Sequence, residues 1–259
     1  MRGGRDAGSA RSRTAPVGPR PPPPTARGRC FTGGEATGPR RPAKLDGMLL
    51  LGPPLLLFAL ITWQVVADGP LVDLDERLSA ELVRPDRASE LLADIGNIQV
   101  AVPLLALALA FVAWRGRARG HDRWWLPPLA GALAMVLVPV LVAPLKEWTD
   151  RPGTPAVPPA VGYYPSGHTA TAVVAYGAAT LLLLPLLGSP AVRRGLVVLC
   201  GALVLGASYG LVRRGYHWPL DVAASWCLGA VLLIGVWLVV SRSRSRRSAG
   251  TPSRRIGPS

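Results

Sequence analysis

Residues 218–240 read WPLDVAASWCLGAVLLIGVWLVV, and after Asp221 this stretch continues for nineteen residues to Val240 without a charge. A helix crosses the hydrocarbon core of a bilayer with about 20 predominantly apolar residues, and about 17 is near the lower limit. The segment 219–240 is therefore a membrane span with one acid at its edge. Five further runs have the same character, at 48–67, 98–114, 125–143, 169–187 and 196–212. Pro53-Pro54, Pro127-Pro128 and Pro139 interrupt or start some of them, which membrane helices tolerate better than soluble ones. Six spans exceed what one soluble core can hide, so the expected fold is all-α, a polytopic bundle of six transmembrane helices.

The charge distribution orients this bundle. The chain has 259 residues and a formal net charge of +14. With both termini placed in the cytoplasm, 22 of 29 Lys and Arg fall on the inner side and 11 of 15 acids on the outer side. Lys/Arg bias of this kind sets topology. The positive charge thus signals orientation, with some attraction of the tails to anionic lipid, and nucleic acid is excluded as a partner. No protein partner is identifiable. Cys30 lies in the N-terminal tail and Cys200 and Cys227 within spans. That spacing builds neither a disulfide framework nor a metal site, and the two span cysteines read as small apolar packers.

Composition sets the outer boundaries. Residues 1–45 are rich in Arg, Pro and Gly without helical or strand periodicity, and 241–259 alternate Ser and Arg. Segments so poor in apolar surface cannot offset their ordering entropy, and both are expected to be disordered cytoplasmic tails. Met48 is an alternative start. The domain proper is expected at 46–240. Between the first two spans, Leu71, Leu74, Leu78 and Leu82 recur at helical spacing, followed by Leu91, Leu92 and Ile95. This predicts amphipathic helix on the outer surface or folded over the bundle.

Two outer loops break the positive-inside pattern. Residues 146–165 carry Lys146 and Arg151 and end at Pro165-Ser166-Gly167-His168; residues 213–216 carry Arg213 and Arg214. Cations on the wrong side call for a reason, and an anionic ligand is the plainest. Ser166 is a good N-cap, Gly167 leaves the backbone open, and the helix that follows directs unsatisfied N–H groups at this point. His168 adds a titratable nitrogen suited to protonating a leaving oxygen. In His217-Trp218-Pro219-Leu220-Asp221, Pro219 suits the first turn of a helix, and the i,i+4 spacing puts His217 and Asp221 on one face. A carboxylate holding one imidazole nitrogen leaves the other free to attack. Lys146 and Arg151 supply a point charge and a planar fork for phosphate oxygens.

Taken together, these pieces resemble the type-2 phosphatidic acid phosphatase superfamily, membrane relatives of the vanadium haloperoxidases. That family's pattern is Lys-x6-Arg-Pro, then Pro-Ser-Gly-His, then Ser-Arg-x5-His-x3-Asp. The second motif matches in full, as do the His and Asp of the third. Gly153 stands where the first motif has Arg, with Arg151 two positions early; Leu211 stands where the third motif has Arg, with Arg213 two positions late and Arg214 a second candidate. The resemblance implies hydrolysis of a lipid phosphate or polyprenyl diphosphate through a phosphohistidine. It assigns His217 as nucleophile, Asp221 as its support and His168 as acid and base. Lys146, Arg151, Ser166, Gly167 and Arg213 would hold the phosphate. It implies no cofactor and no metal. The site is expected on the extracytoplasmic face of the plasma membrane, with membrane lipids as surroundings. Two alternatives remain open: a lipid phosphotransferase using the same intermediate, and a non-catalytic protein that binds lipid phosphate.

Overall fold

The computed structural model describes residues 43–248, with side chains from 49 to 242. The expected tails lie outside these residues except at 43–45 and 241–248, which are helical. Among the described residues there are eight α-helices and no strand: α1 (Ala43–Val66), α2 (Pro70–Leu82), α3 (Arg87–Asp94), α4 (Ile98–Ala118), α5 (Leu126–Thr149), α6 (Gly167–Leu183), α7 (Pro190–Arg213) and α8 (Pro219–Ser248). Six of them, α1 and α4 to α8, are long and apolar enough to cross a membrane. They carry the six spans expected from the sequence. Their large outward residues, such as Leu56, Leu107 and Val198, are more than two-thirds exposed, a surface that only an apolar medium covers without cost.

The centre of the bundle is α6. Of its span, 61% is buried, against 11–44% for the other five. The reason is local composition: Ala170, Ala172, Ala175 and Ala178 are wholly buried, and small side chains let neighbouring backbones approach. Helices α4, α5, α7 and α8 all pack on it. One core layer joins Val138 and Val142 of α5 to Ala170 and Val174 of α6 and Leu228 of α8. A second joins Ala101 and Leu105 of α4 to Ala207 of α7. Against the far side of α8, Ile61 of α1 meets Tyr164, Ala224 and Cys227, so Cys227 is indeed a packing residue.

The amphipathic stretch between the first two spans folds over one end of the bundle as α2 and α3. Helix α2 touches α1, α7 and α8, and α3 lies along α7. The leucine stripe of α2 faces outward: Leu74, Leu78 and Leu82 are 40% or more exposed, while Asp75 and Ser79 are buried. The helix therefore presents a polar face to the protein and an apolar one to its surroundings. Asp86 begins α3 with a reciprocal cap, accepting from Ser89 N (2.7 Å) while Ser89 Oγ accepts from Asp86 N (3.1 Å).

Close approach fixes α3 on α7. A Cβ on Gly210 would stand 2.4 Å from Ala93 N and 2.6 Å from Ser89 O, both backbone atoms. Neither can rotate away, so Gly210→Ala is expected to force the helices apart and cost about 1–3 kcal/mol, the range for overpacking. Thermal unfolding in detergent checks this; an unchanged midpoint would mean that α3 is not seated here.

Candidate active site

All the motif-bearing termini meet at the end of the bundle capped by α2 and α3. The C-terminus of α5 brings Lys146, the N-terminus of α6 brings Gly167 and His168, and the α7–α8 turn brings His217. That turn depends on Gly215, whose φ of +72° is a left-handed conformation glycine adopts without penalty. Its carbonyl accepts from Thr154 Oγ1, tying the turn to the 152–161 loop.

The two histidine-bearing helix starts are joined directly. Ser166 N donates to Asp221 O (3.2 Å), and the Ser225 hydroxyl lies 2.8 Å from Ser166 O and 2.7 Å from Asp221 O. In consequence the rings of His168 and His217 stand 6.4 Å apart, centroid to centroid, and the rings of Tyr163 and His217 pack in a T-shaped arrangement with centroids 5.8 Å apart. Ser166 caps α6 as its type suggests, its Oγ accepting from Thr169 N (3.3 Å). It is wholly buried, so its hydroxyl serves the helix, while Gly167 lines the adjoining cavity.

Asp221 is the hub. Its Oδ2 faces His217 Nδ1 at 3.2 Å and accepts from Trp218 N at 3.2 Å. Its Oδ1 accepts from Arg151 Nη1 at 2.6 Å. Arg151 reaches onward: Nη2 donates to Asp75 Oδ2 at 2.6 Å. Asp75 Oδ1 in turn accepts from Leu220 N, 2.8 Å away. All four charged or titratable side chains are buried, at 2% (Asp75), 6% (Arg151), 0% (Asp221) and 6% (His217) exposure. Burial raises the Asp75 carboxyl above its ordinary pKa, and the bonds from Arg151 and Leu220 oppose that shift.

A cavity of about 730 Å³ opens beside the histidines. Lys146, Gly167, His168 and His217 form its polar end, and Val102 of α4 with Met135, Val138 and Val142 of α5 form its apolar wall. From Lys146 to Met135 the wall runs about 16 Å, at ~1.5 Å per helical residue. Lys146 Nζ donates to Gly162 O (2.7 Å) and lies 5.9 Å from the Tyr163 ring. Among the described residues, Arg151 and Arg213 do not line this cavity. Arg213 turns outward, its Nε donating to Asp86 Oδ2 at 3.0 Å; the bonds from Ser89 and Arg213 hold the Asp86 carboxyl down at about 2. Neighbouring Arg214 donates to Tyr216 OH at 3.2 Å. Lys146, Gly167, His168 and His217 thus converge on one space, Asp221 and Arg151 stand behind it, and Arg213 stands apart. Among the described residues no group of three or more His, Cys, Asp or Glu is placed to hold a metal ion.

Asp75 is the residue that sequence reasoning missed. It lies four positions before Ser79, on the flank of the leucine stripe that drew attention. A carboxylate bordering an apolar helix face beside the membrane needs a partner, and that was the available signal.

Residues 129–245 match the family model described as PAP2 superfamily. The resemblance to the PAP2 superfamily is confined to this segment. The segment contains Lys146, Arg151, the Pro-Ser-Gly-His stretch, His217 and Asp221. Over 67 residues, 26% of this chain, the sequence is 46% identical to an undecaprenyl-diphosphatase of Sulfolobus acidocaldarius. The match spans 28% of that relative's length. The fold is similar to the crystal structure of a transmembrane PAP2 type phosphatidylglycerolphosphate phosphatase from Bacillus subtilis, with a TM-score of 0.61 and 22% identity, covering 80% of this chain and 100% of that one. At that identity the likeness is one of fold. With six helices long and apolar enough to cross a membrane and the fold of a transmembrane protein, the chain is an integral membrane protein.

Proposed function

We propose that the chain is a membrane phosphatase that hydrolyses a lipid phosphate or polyprenyl diphosphate through a phosphohistidine, with no metal. The observation that carries this reading is His217, held at Nδ1 by Asp221 beside His168, at the polar end of a cavity with an apolar wall. A phosphate head beside the histidines and a hydrocarbon tail along α4 and α5 match that division. Ile98 and Val136 border the cavity and are largely exposed, which suits a substrate arriving from the bilayer.

In the first step the free Nε2 of His217 forms a bond to phosphorus as the bond to the leaving oxygen breaks, and His168 gives that oxygen its proton. In the second, His168 takes a proton from water, the water oxygen bonds to phosphorus, and the N–P bond breaks to release phosphate. Lys146, the Gly167 amide and the α6 N-terminus stabilise charge on the phosphoryl oxygens. Arg151 acts through Asp221 in this scheme, Ser166 through the α6 cap, and Arg213 lies outside it. The site faces the extracytoplasmic side of the plasma membrane, with both termini in the cytoplasm, as the Lys/Arg asymmetry supports.

The test is phosphate release from a panel of lipid mono- and diphosphates by purified protein in detergent, with and without a chelator. Release that survives chelation is expected; no release from any member of the panel sinks the reading. Lys146→Ala is expected to lower kcat/KM about 100-fold, on the scale of a lost donor to developing charge. Arg213→Ala should change it less than about 3-fold, since an exposed pair contributes little. The reverse ranking would return Arg213 to the phosphate.

A further inference from the structure

We propose that Asp75 is a positioning residue for His217, acting through Arg151 and Asp221. The role rests on the phosphatase reading only for its effect on rate. Three observations carry it. The Arg151 fork is divided, one amino group on Asp221 Oδ1 and the other on Asp75 Oδ2, both at 2.6 Å. That division leaves Asp221 Oδ2 to His217 Nδ1 and Trp218 N. Asp75 also accepts from the amide of Leu220, the residue immediately before Asp221, and so anchors the first turn of α8 through a second route.

The physical consequence is specific. A guanidinium fits a carboxylate bidentately, and without Asp75 the Arg151 fork is free to take both oxygens of Asp221. His217 would then share its acceptor with a full positive charge. Asp75 prevents this in two ways: it holds one arm of the fork, and its own carboxylate offsets the charge of Arg151. Asp221 then keeps its negative charge for the imidazole, which becomes cationic when phosphorus bonds to Nε2. Asp75 belongs to α2, outside the matched 129–245 segment. It does not line the cavity beside the histidines, so it reaches the chemistry through other residues.

Asp75→Asn is the decisive variant. Asparagine keeps the shape and an acceptor for Leu220 N, and the remaining Arg151–Asp221 pair is neutral, so the fold should persist. We expect kcat to fall about 10- to 100-fold, as for lost outer-shell partners of a reacting group, with KM changed less than about 2-fold. Asp75→Glu, which keeps the charge on a longer arm, should fall between wild type and Asn. A readout independent of activity uses the chain's three histidines: with ¹⁵N-histidine labelling, the His217 ring signals should move in Asp75→Asn while those of His121 stay in place. Unchanged His217 signals, or a loss confined to KM, would overturn the proposal. Should the Asn variant not accumulate in folded form, the Glu variant carries the same two readouts. If wild-type protein released no phosphate, the phosphatase reading would fail, and the His217 signals would still decide the role of Asp75.

Discussion

Replacing His217 by alanine is expected to reduce phosphate release by more than about 10⁴-fold, the scale on which removal of a nucleophile acts. The expectation follows from the division of labour in the ring. Nδ1 is held by Asp221 at 3.2 Å, which leaves Nε2 as the atom available to phosphorus. No other imidazole replaces it: the ring of His168 is 6.4 Å away and is occupied with the leaving oxygen in the proposed scheme. The fold should survive, because Asp221 keeps its bonds from Arg151 and Trp218 N, and one lost hydrogen bond costs about 0.5–1.5 kcal/mol. Two measurements belong together. Initial rates in detergent report the loss, and quenching wild-type protein and labelled substrate in alkaline denaturant should trap a phosphoryl group, stable in alkali and lost on acidification, that the variant lacks. Substantial turnover by folded His217→Ala protein would remove the nucleophile assignment.

The second large effect concerns stability. Arg151→Met leaves Asp75 and Asp221, both almost wholly inaccessible, without their shared cation. Breaking a buried ion pair by removing one partner costs about 3–5 kcal/mol, because the remaining charge is uncompensated. The variant should therefore unfold at a clearly lower temperature in detergent or fail to accumulate. Neutralising all three positions, with Asp75→Asn and Asp221→Asn added, should recover most of that stability and none of the activity. The pH dependence has a definite sign. Burial already raises the Asp75 carboxyl, and Arg151 is the main opposing influence. Without Arg151 its folded pKa rises further above the unfolded value, so the folded variant binds a proton more readily than the unfolded chain. Its stability deficit should therefore shrink as pH falls from about 8 toward about 5 and grow as pH rises. A melting temperature indifferent to Arg151 would show that the two carboxylates do not depend on it.

Membrane character, span number and the His217–Asp221 pair were legible because each is encoded over a short length of chain. An apolar run of sufficient length declares itself, and an i,i+4 pair in a helix needs no knowledge of the rest of the fold. The Ser166 cap was legible for the same reason, although its hydroxyl proved to be committed to Thr169. The leucines of α2 and α3 correctly announced helices, but periodicity alone did not say which face turns inward. In water an apolar stripe points to the core; beside a bilayer it points to lipid, and the polar face carrying Asp75 is the one the protein buries.

The partners of the arginines lay beyond sequence reasoning. Arg151 and Arg213 both stand near the motifs in the chain, and both suited an anion by residue type. Arg151 instead meets carboxylates 70 and 76 positions away, and Arg213 meets one 127 positions away. Which acid a cation reaches is set by how whole helices pack. By itself, then, the sequence determined six spans, their orientation signal and the local geometry of the His217–Asp221 face. Only the tertiary structure decided that this face is reached by one cation from behind, that Asp75 shares that cation, and that Lys146 remains at the cavity. The physical reason is range. Hydrophobic length and helical periodicity act within one segment, whereas the pairing of buried charges depends on the distances that packing creates between segments.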